Sequence, residues 1–288
     1  MHILEMFKAD KPVVSCEIFP PRQGYPLDTI FETINGLKEL QPAFISVTYG
    51  AGGSTANNSL EIAGRISRDY DITALAHFTC VGMNKLEIDQ MLDRLQAVGV
   101  SNILALRGDP PAGQIDFKPA VGGYVYAAEL VTHIKADGRF GIAAAAYPEG
   151  HMECSDRRLD LEYLAQKVRR GVDFLITQLF FDNQFFYDFR EQALQAGIDC
   201  PIATGIMPVL EAKQIKRIVG LCGVAIPRTL TNIIEKYGYD NASMEQAGIE
   251  YACRQIDDLL AHGVKGIHMY TMNRPVSTRK ILTCAGLR

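Results

Sequence analysis

Eight short apolar, β-leaning runs recur along the chain, at 13–19, 44–48, 72–78, 102–106, 141–146, 174–178, 201–204 and 266–270. Most are separated by stretches with helical spacing, at 27–40, 59–70, 86–98, 127–136, 159–170 and 184–196. A strand followed by a helical crossover must return parallel to its neighbour, so the alternation reads as repeated βα units. Eight such units fit a closed (β/α)8 barrel, the TIM-barrel architecture, better than an open doubly wound sheet. The length of 288 residues could hold two average domains, but one barrel spanning 1–288 accounts for all of it. Glycine follows several helical stretches just before the next strand, at Gly99, Gly171 and Gly197, where a left-handed C-cap carries no Cβ penalty. The interval 204–266 is about twice the usual period, and its 224–248 portion reads as extra helices before the last strand.

Composition narrows the function classes. A formal charge of −4 without a Lys/Arg run argues against a nucleic-acid platform and against an anionic-membrane anchor. The seven cysteines are scattered, with no C-x-x-C pair, and the six histidines include no H-x-H or H-E-x-x-H, so neither a disulfide framework nor a metal site is expected. The first residues are too polar for a signal peptide, and no apolar run reaches membrane-spanning length. The expectation is a cytoplasmic protein whose partner is a small molecule.

Unusual polar residues fall at the ends of the strand runs: Glu17, Thr48, His77, the tripeptide Arg107-Gly108-Asp109, Tyr147 and Gln178. In a barrel these ends share one mouth, the face where such folds place their chemistry. Glu17, among apolar neighbours, reads either as a general acid or as a strand-end carboxylate paired with Arg22. The loop after Arg107 is stiffened by Pro110 and Pro111, which suits ligand binding. Gly50, Ala51, Gly52, Gly53 and Ser54 could present backbone N–H groups to an anion, although their spacing matches no nucleotide-binding fingerprint. His77 and His151 read as hydrogen-bonding residues, Asp160 and Lys167 as a solvated pair on one helix face, and the aromatic group 180–189 chiefly as packing.

Eight segments, SCEIFPPR (15–22), SVTYGAGGS (46–54), AHFTC (76–80), LALRGDPP (104–111), AAYPEGH (145–151), TQLFFD (177–182), GIMPV (205–209) and HMYTMNR (268–274), lie in register at successive strand ends. Together they resemble the methylenetetrahydrofolate reductase family, from about Val13 to the C-terminus. The resemblance implies a FAD-containing (β/α)8 barrel that reduces 5,10-methylenetetrahydrofolate to 5-methyltetrahydrofolate in a ping-pong scheme, with NADH or NADPH as electron source. It implies that Glu17 is the acid that opens the folate imidazolidine ring, its carboxyl pKa raised by apolar surroundings, and that Asp109 is the carboxylate near flavin and pterin. Thr48, Tyr49, His77, Arg107, Gly108, Asp109, Tyr126, Ala127, Tyr147, His151, Asp160 and Lys167 match FAD contacts. Gln178, Gln214 and Arg274 match contacts to substrate.

Three positions depart from the well-known bacterial members: Tyr163 and Gln166 replace an Asn and an Arg used toward FAD, and Ile218 replaces a Phe that stacks on nicotinamide or folate. Some relatives take electrons through an iron-sulfur partner subunit, so the resemblance also admits a homo- or hetero-oligomer fed that way. Two other readings stay open: a flavin barrel of the proline-dehydrogenase type, and a folate-binding or electron-transfer barrel subunit working inside a larger flavin/iron-sulfur complex.

Overall fold

A computed structural model describes residues 1–21, 25–49, 56–109 and 119–288. Eight strands, β1 (Val13–Ile18), β2 (Phe44–Val47), β3 (Thr73–Thr79), β4 (Asn102–Leu106), β5 (Gly141–Ala146), β6 (Phe174–Thr177), β7 (Ile202–Ile206) and β8 (Gly266–Tyr270), form a closed barrel in chain order. Every neighbouring pair is parallel, and β8 returns to β1. The helices between them are α1 (Asp28–Lys38), α2 (Ala56–Asp69), α3 (Lys85–Ala97), α4 (Ala127–Asp137), α5 (Arg157–Arg169) and α6 (Asn183–Gln195). The (β/α)8 expectation holds, with element ends displaced by a few residues where strand and loop share apolar residues.

Several helices start where a short polar side chain can take the first free N–H groups. Asn84 and Glu87 close a reciprocal capping box at α3, while Asp156 and Asp182 cap α5 and α6. Gly99, Gly171 and Gly197 adopt the positive φ that their place after α3, α5 and α6 requires.

A barrel strand is buried on both faces, which is why these runs read as nearly unbroken apolar stretches. Outward residues such as Cys16, Ile45, Ile103 and Ile142 pack beneath helix residues Ile34, Ile62, Leu92 and Leu130 in one large core. Inward residues Val13, Phe44, Leu75, Leu104, Ala143, Phe174 and Ala203 fill the lower barrel. A short 3₁₀ turn, Ile3–Lys8, closes the floor, with Phe7 5.4 Å from Phe174 between ring centroids. The sequence reading did not anticipate this plug, since six residues are too few to show a period.

The long interval before β8 contains three helices: α7 (Ala212–Cys222), α8 (Arg228–Tyr237) and α9 (Asn241–Ala261). Only α8 is wholly additional, because α9 begins inside the expected excursion and continues as the crossover to β8. With α7 and the ends of β6 and β7 these helices build a satellite apolar cluster, including Leu179, Phe181, Met207, Ile215, Leu230 and Met244. It stands along one side of the barrel mouth. A last helix, α10 (Pro275–Cys284), completes the eighth unit. Among the described residues, no helix is long and apolar enough to cross a membrane.

Asn102 shows what fixes the floor to the barrel. Its fully buried amide accepts from Ile3 N–H at 2.9 Å and donates to Met1 C=O at 2.9 Å. Asn102→Leu keeps the volume but strands the buried Ile3 N–H, while Ser101 still donates to the Met1 carbonyl, so we expect a loss of about 1–3 kcal/mol in urea unfolding. A denaturation midpoint equal to wild type, at equal slope, would show that the plug contributes nothing.

Candidate active site

The pleat decides which side chains meet. In β1, Val13, Ser15 and Glu17 point inward, and register sets Ser15 beside His268 of β8 and Glu17 beside both Ser46 of β2 and Tyr270 of β8. The upper barrel is therefore polar where the lower barrel is apolar. Glu17 is 5% exposed. Its Oε2 lies 3.3 Å from His268 Nε2, 3.3 Å from His77 Nε2 and 3.4 Å from the Ser46 hydroxyl. Its Oε1 accepts no hydrogen bond among the described residues.

This arrangement corrects the expected pKa of Glu17. Burial alone pushes its carboxyl up, but the His77 and His268 imidazoles together outweigh that, and the pKa falls from 4.5 to about 2. The sequence reading saw apolar neighbours along the strand. The neighbours that matter lie across it. Arg22, the alternative partner, lies outside the described residues, as do Gly50, Ala51, Gly52, Gly53 and Ser54, and Pro110 and Pro111.

Strand β4 is followed by Arg107, Gly108 and an exposed Asp109. Gly108 has φ +89°, and a Cβ there would fall 2.6 Å from Val81 and 2.8 Å from Thr79, so no other residue fits this exit. Arg107 makes a two-pronged pair with Glu153 at 2.5 and 2.7 Å. Beyond it opens a cavity of about 890 Å³, running from the ends of β4 and β5 outward between α4, α5 and α6. Of the expected cofactor residues, Arg107, Tyr126, Ala127, Tyr147, His151, Asp160 and Lys167 line it, and so do the departing residues Tyr163 and Gln166.

Asp160 and Lys167 are not the solvated pair expected. Asp160 accepts from His151 N–H at 3.0 Å, and Lys167 Nζ donates to Ala145 C=O at 2.9 Å. Burial pulls the Lys167 ammonium down to about 8, against the opposing pull of Asp160. His151 packs edge-on against Tyr147, 4.7 Å between centroids. Burial, then the charge of nearby Asp109, lifts the Tyr147 hydroxyl to about 12, which keeps it a proton donor at neutral pH.

Other expected residues stand apart from this cavity's wall. Thr48 and Tyr49 follow β2, and the Thr48 carbonyl accepts from Ser59 at 2.9 Å. Gln178 follows β6 and folds its amide oxygen back onto Leu179 N–H. Gln214 on α7 and Arg274 at the start of α10 meet around Glu211, which takes a backbone bond from Gln214 and an ion pair from Arg274. Ile218, partly buried, packs against the satellite cluster. The aromatic group is mostly core, as expected: Phe180 and Phe186 stack at 5.7 Å, and Phe185 and Phe189 face the cavity.

Residue-by-residue reading missed Ser15, Ser46, His268, Glu153 and Glu211. The first three carried a usable signal, since polar residues in apolar strands at period two from Val13, Phe44 and Gly266 must all point into the barrel. The two glutamates carried none.

Comparison with known proteins identifies the family. The methylenetetrahydrofolate reductase family model matches residues 2–286. The chain is 38% identical over 284 residues to methylenetetrahydrofolate reductase (NADH) 1 of Arabidopsis thaliana, covering 95% of this chain and 48% of that one. It is 35% identical over 275 residues to 5,10-methylenetetrahydrofolate reductase of Escherichia coli K12, covering 96% and 91%. It thus spans about half the length of the plant relatives and most of the enterobacterial ones. A Clostridium thermocellum protein solved with two copies of 5-methyl-5,6,7,8-tetrahydrofolic acid shares the fold, with TM-score 0.64 at 14% identity over 98% of this chain and 96% of that one. With its matched residues, its barrel and its strand-end motifs, this chain belongs to the methylenetetrahydrofolate reductase family.

Proposed function

We propose that the chain reduces 5,10-methylenetetrahydrofolate to 5-methyltetrahydrofolate, with FAD as its resident redox group and NADH, NADPH or an iron-sulfur partner subunit as electron source. The carrying observation is the juxtaposition, at one barrel mouth, of a buried carboxyl network on β1 with a cation-lined cavity that opens at Arg107. The names of the E. coli and A. thaliana relatives support the same reading.

The cavity suits a dinucleotide. It is mixed in polarity, and its wall holds Arg107, Arg157, Lys167 and Arg170. Gln166 brings no charge, but Arg157 and Arg170, which make no ion pair among the described residues, bring two. Arg107 and Lys167 would hold the diphosphate, and Tyr126, Ala127, Tyr147, His151 and Asp160 would line the rest. The exposed ring of Tyr163 adds an aromatic wall where the relatives have an amide. FAD, when bound, supplies hydride transfer; orientation and charge are left to the protein.

Ring opening leaves a cation on the substrate at N5, and the exposed carboxylate of Asp109 is the group that opposes it. Glu17, held ionised in the free protein by the His77 and His268 imidazoles, would have to take up the proton that N10 needs as it departs. Gln178 offers an amide at the end of β6. Arg274 can take a substrate carboxylate only in competition with Glu211. One mouth serves both half-reactions in turn, which is the physical content of the ping-pong scheme. The packing of Ile218 into the satellite cluster, with no aromatic ring at that position, favours electron entry that does not rest on nicotinamide stacking there.

Glu17→Gln should keep the flavin and its reduction by donor while slowing reoxidation by the folate about 100-fold, the usual loss for a general acid. Stopped-flow traces with equal losses in both halves would contradict that role.

Lys167 gives a pH prediction. In the free protein it is charged below about 8 and neutral above, whereas an anionic cofactor favours the charged form. FAD affinity should therefore fall as pH rises through 8, about tenfold by pH 9. Lys167→Met should bind weakly without that fall. A dissociation constant for wild type that is flat from pH 7 to 9, followed by flavin fluorescence, would remove Lys167 from the site.

A further inference from the structure

Tyr126 is the N-cap residue of α4 and Ala127 the first residue of that helix, and both line the cavity. The Tyr126 side chain is 63% exposed, so its place depends on what holds the backbone around it. Three anchors do so, all from α3 and α4. Gly123 forms an antiparallel bridge with Asn84 just before α3, and a Cβ on it would fall 2.3 Å from the Met83 carbonyl oxygen. The N–H groups of Val125 and Tyr126 both donate to Glu129 Oε2 at 2.9 Å. Between these two anchors stands Tyr124, which holds the third.

The Tyr124 hydroxyl lies 2.7 Å from Nδ1 of His133 on α4, and His133 Nε2 lies 2.7 Å from Oδ1 of Asp89 on α3. A carboxylate only accepts, so Nε2 carries the hydrogen. In the neutral imidazole Nδ1 is then a lone pair, and the phenol donates to it. Burial first, and then the charges of Asp89 and Glu129, push the Tyr124 hydroxyl above its ordinary range, so it keeps the hydrogen it donates. The two rings meet edge to face at 5.7 Å, and the Lys85 ammonium stands 5.4 Å from the centre of the phenol ring. The His133 side chain is 17% exposed, which shields both of its bonds from water.

We propose that Asp89, His133 and Tyr124 form a relay of positioning residues that sets Tyr126 and Ala127 against the cofactor. The inference rests on the flavin reading of the cavity. Asp89 and His133 alone would suffice to staple α3 to α4. The third member lies in the loop, two residues from Tyr126, where its bond fixes the chain that enters the cavity wall. None of the three lines the cavity, so they act on the cofactor only through that chain. A loop already held in its bound geometry need not be ordered when the ligand arrives, so losing an anchor weakens binding and leaves the chemistry alone.

The test follows FAD release on serial dilution of the holoenzyme, read as recovered flavin fluorescence, beside thermal unfolding of the same samples. Tyr124→Phe removes one oxygen and keeps the ring, so the FAD dissociation constant should rise about three- to tenfold, the scale of one hydrogen bond. At saturating FAD its rates of flavin reduction and reoxidation should stay within about twofold of wild type. Asp89→Leu should weaken binding by less, and the double variant should bind no worse than Tyr124→Phe alone, because Asp89 acts through His133. Asp89→Asn, whose amide oxygen still accepts from Nε2–H, should bind like wild type. A Tyr124→Phe protein that melts lower but holds FAD as tightly as wild type would show a mere staple and overturn the proposal. Losses that multiply in the double variant would overturn the relay. If wild type takes up no flavin, the functional reading fails instead. The relay is then read by hydrogen–deuterium exchange over residues 123–127: faster exchange in Tyr124→Phe supports positioning, and unchanged exchange refutes it.

Discussion

A parallel sheet closed on itself has a single interior, and any polar group it buries must find its partner there. That constraint organises the protein. Inward positions of the lower barrel are filled by Val13, Phe44, Leu75, Leu104 and Phe174, so the floor is dry and sealed by the Ile3–Lys8 turn. Above it the same alternation delivers Ser15, Glu17, Ser46 and His268, which bond one another across strands, with the His77 imidazole set against the Glu17 carboxylate and the Tyr270 hydroxyl donating to the Thr177 carbonyl. A lone carboxylate at that depth would cost several kcal/mol, and it is the two imidazoles that make it tolerable. Remove the closure between β8 and β1 and the register pairing Ser15 with His268 disappears, and the chemistry with it.

The second feature of the fold is a gathering of cationic side chains at one cavity. Arg107, Arg157, Lys167 and Arg170 converge on one cavity although they come from β4 and α5, while acidic Glu153 and Asp160 keep that wall from being uniformly positive. Lys167 is held partly desolvated against the Ala145 carbonyl, so its charge is conditional and an anion in the cavity stabilises it. Tyr163 and Gln166 line the same surface, beside Arg157 and Arg170.

The two regions meet at the mouth. Asp109 acts electrostatically on Tyr147, and Tyr147 and Glu17 both act on Tyr270, whose hydroxyl burial pushes far above its usual range. The carboxyl network at β1 and the cavity beyond β4 thus share an electrostatic environment through two phenols that remain protonated at neutral pH. The satellite cluster around Leu179, Met207 and Leu230 bounds this side of the mouth, and Ile218 belongs to that packing.

Much of this was legible in the linear sequence. Eight apolar runs, the helices between them and the glycines at positions 99, 171 and 197 specify a βα repeat through local rules of periodicity and capping, and the strand-end polar residues mark the mouth. What the sequence could not carry was anything set by register across strands. Glu17 looked like a carboxyl in apolar surroundings because its sequence neighbours, Cys16 and Ile18, point the other way into the helix layer, whereas its electrostatic neighbours, His77 and His268, lie 60 and 251 residues away. The partners of Asp160 and Lys167 were likewise misjudged, since each bonds a backbone group of another element and not its helical neighbour. Side-chain period and helix capping are properties of a few consecutive residues, so the sequence alone determines them. Desolvation and ion pairing depend on which strands close against which, and only the tertiary structure decides that.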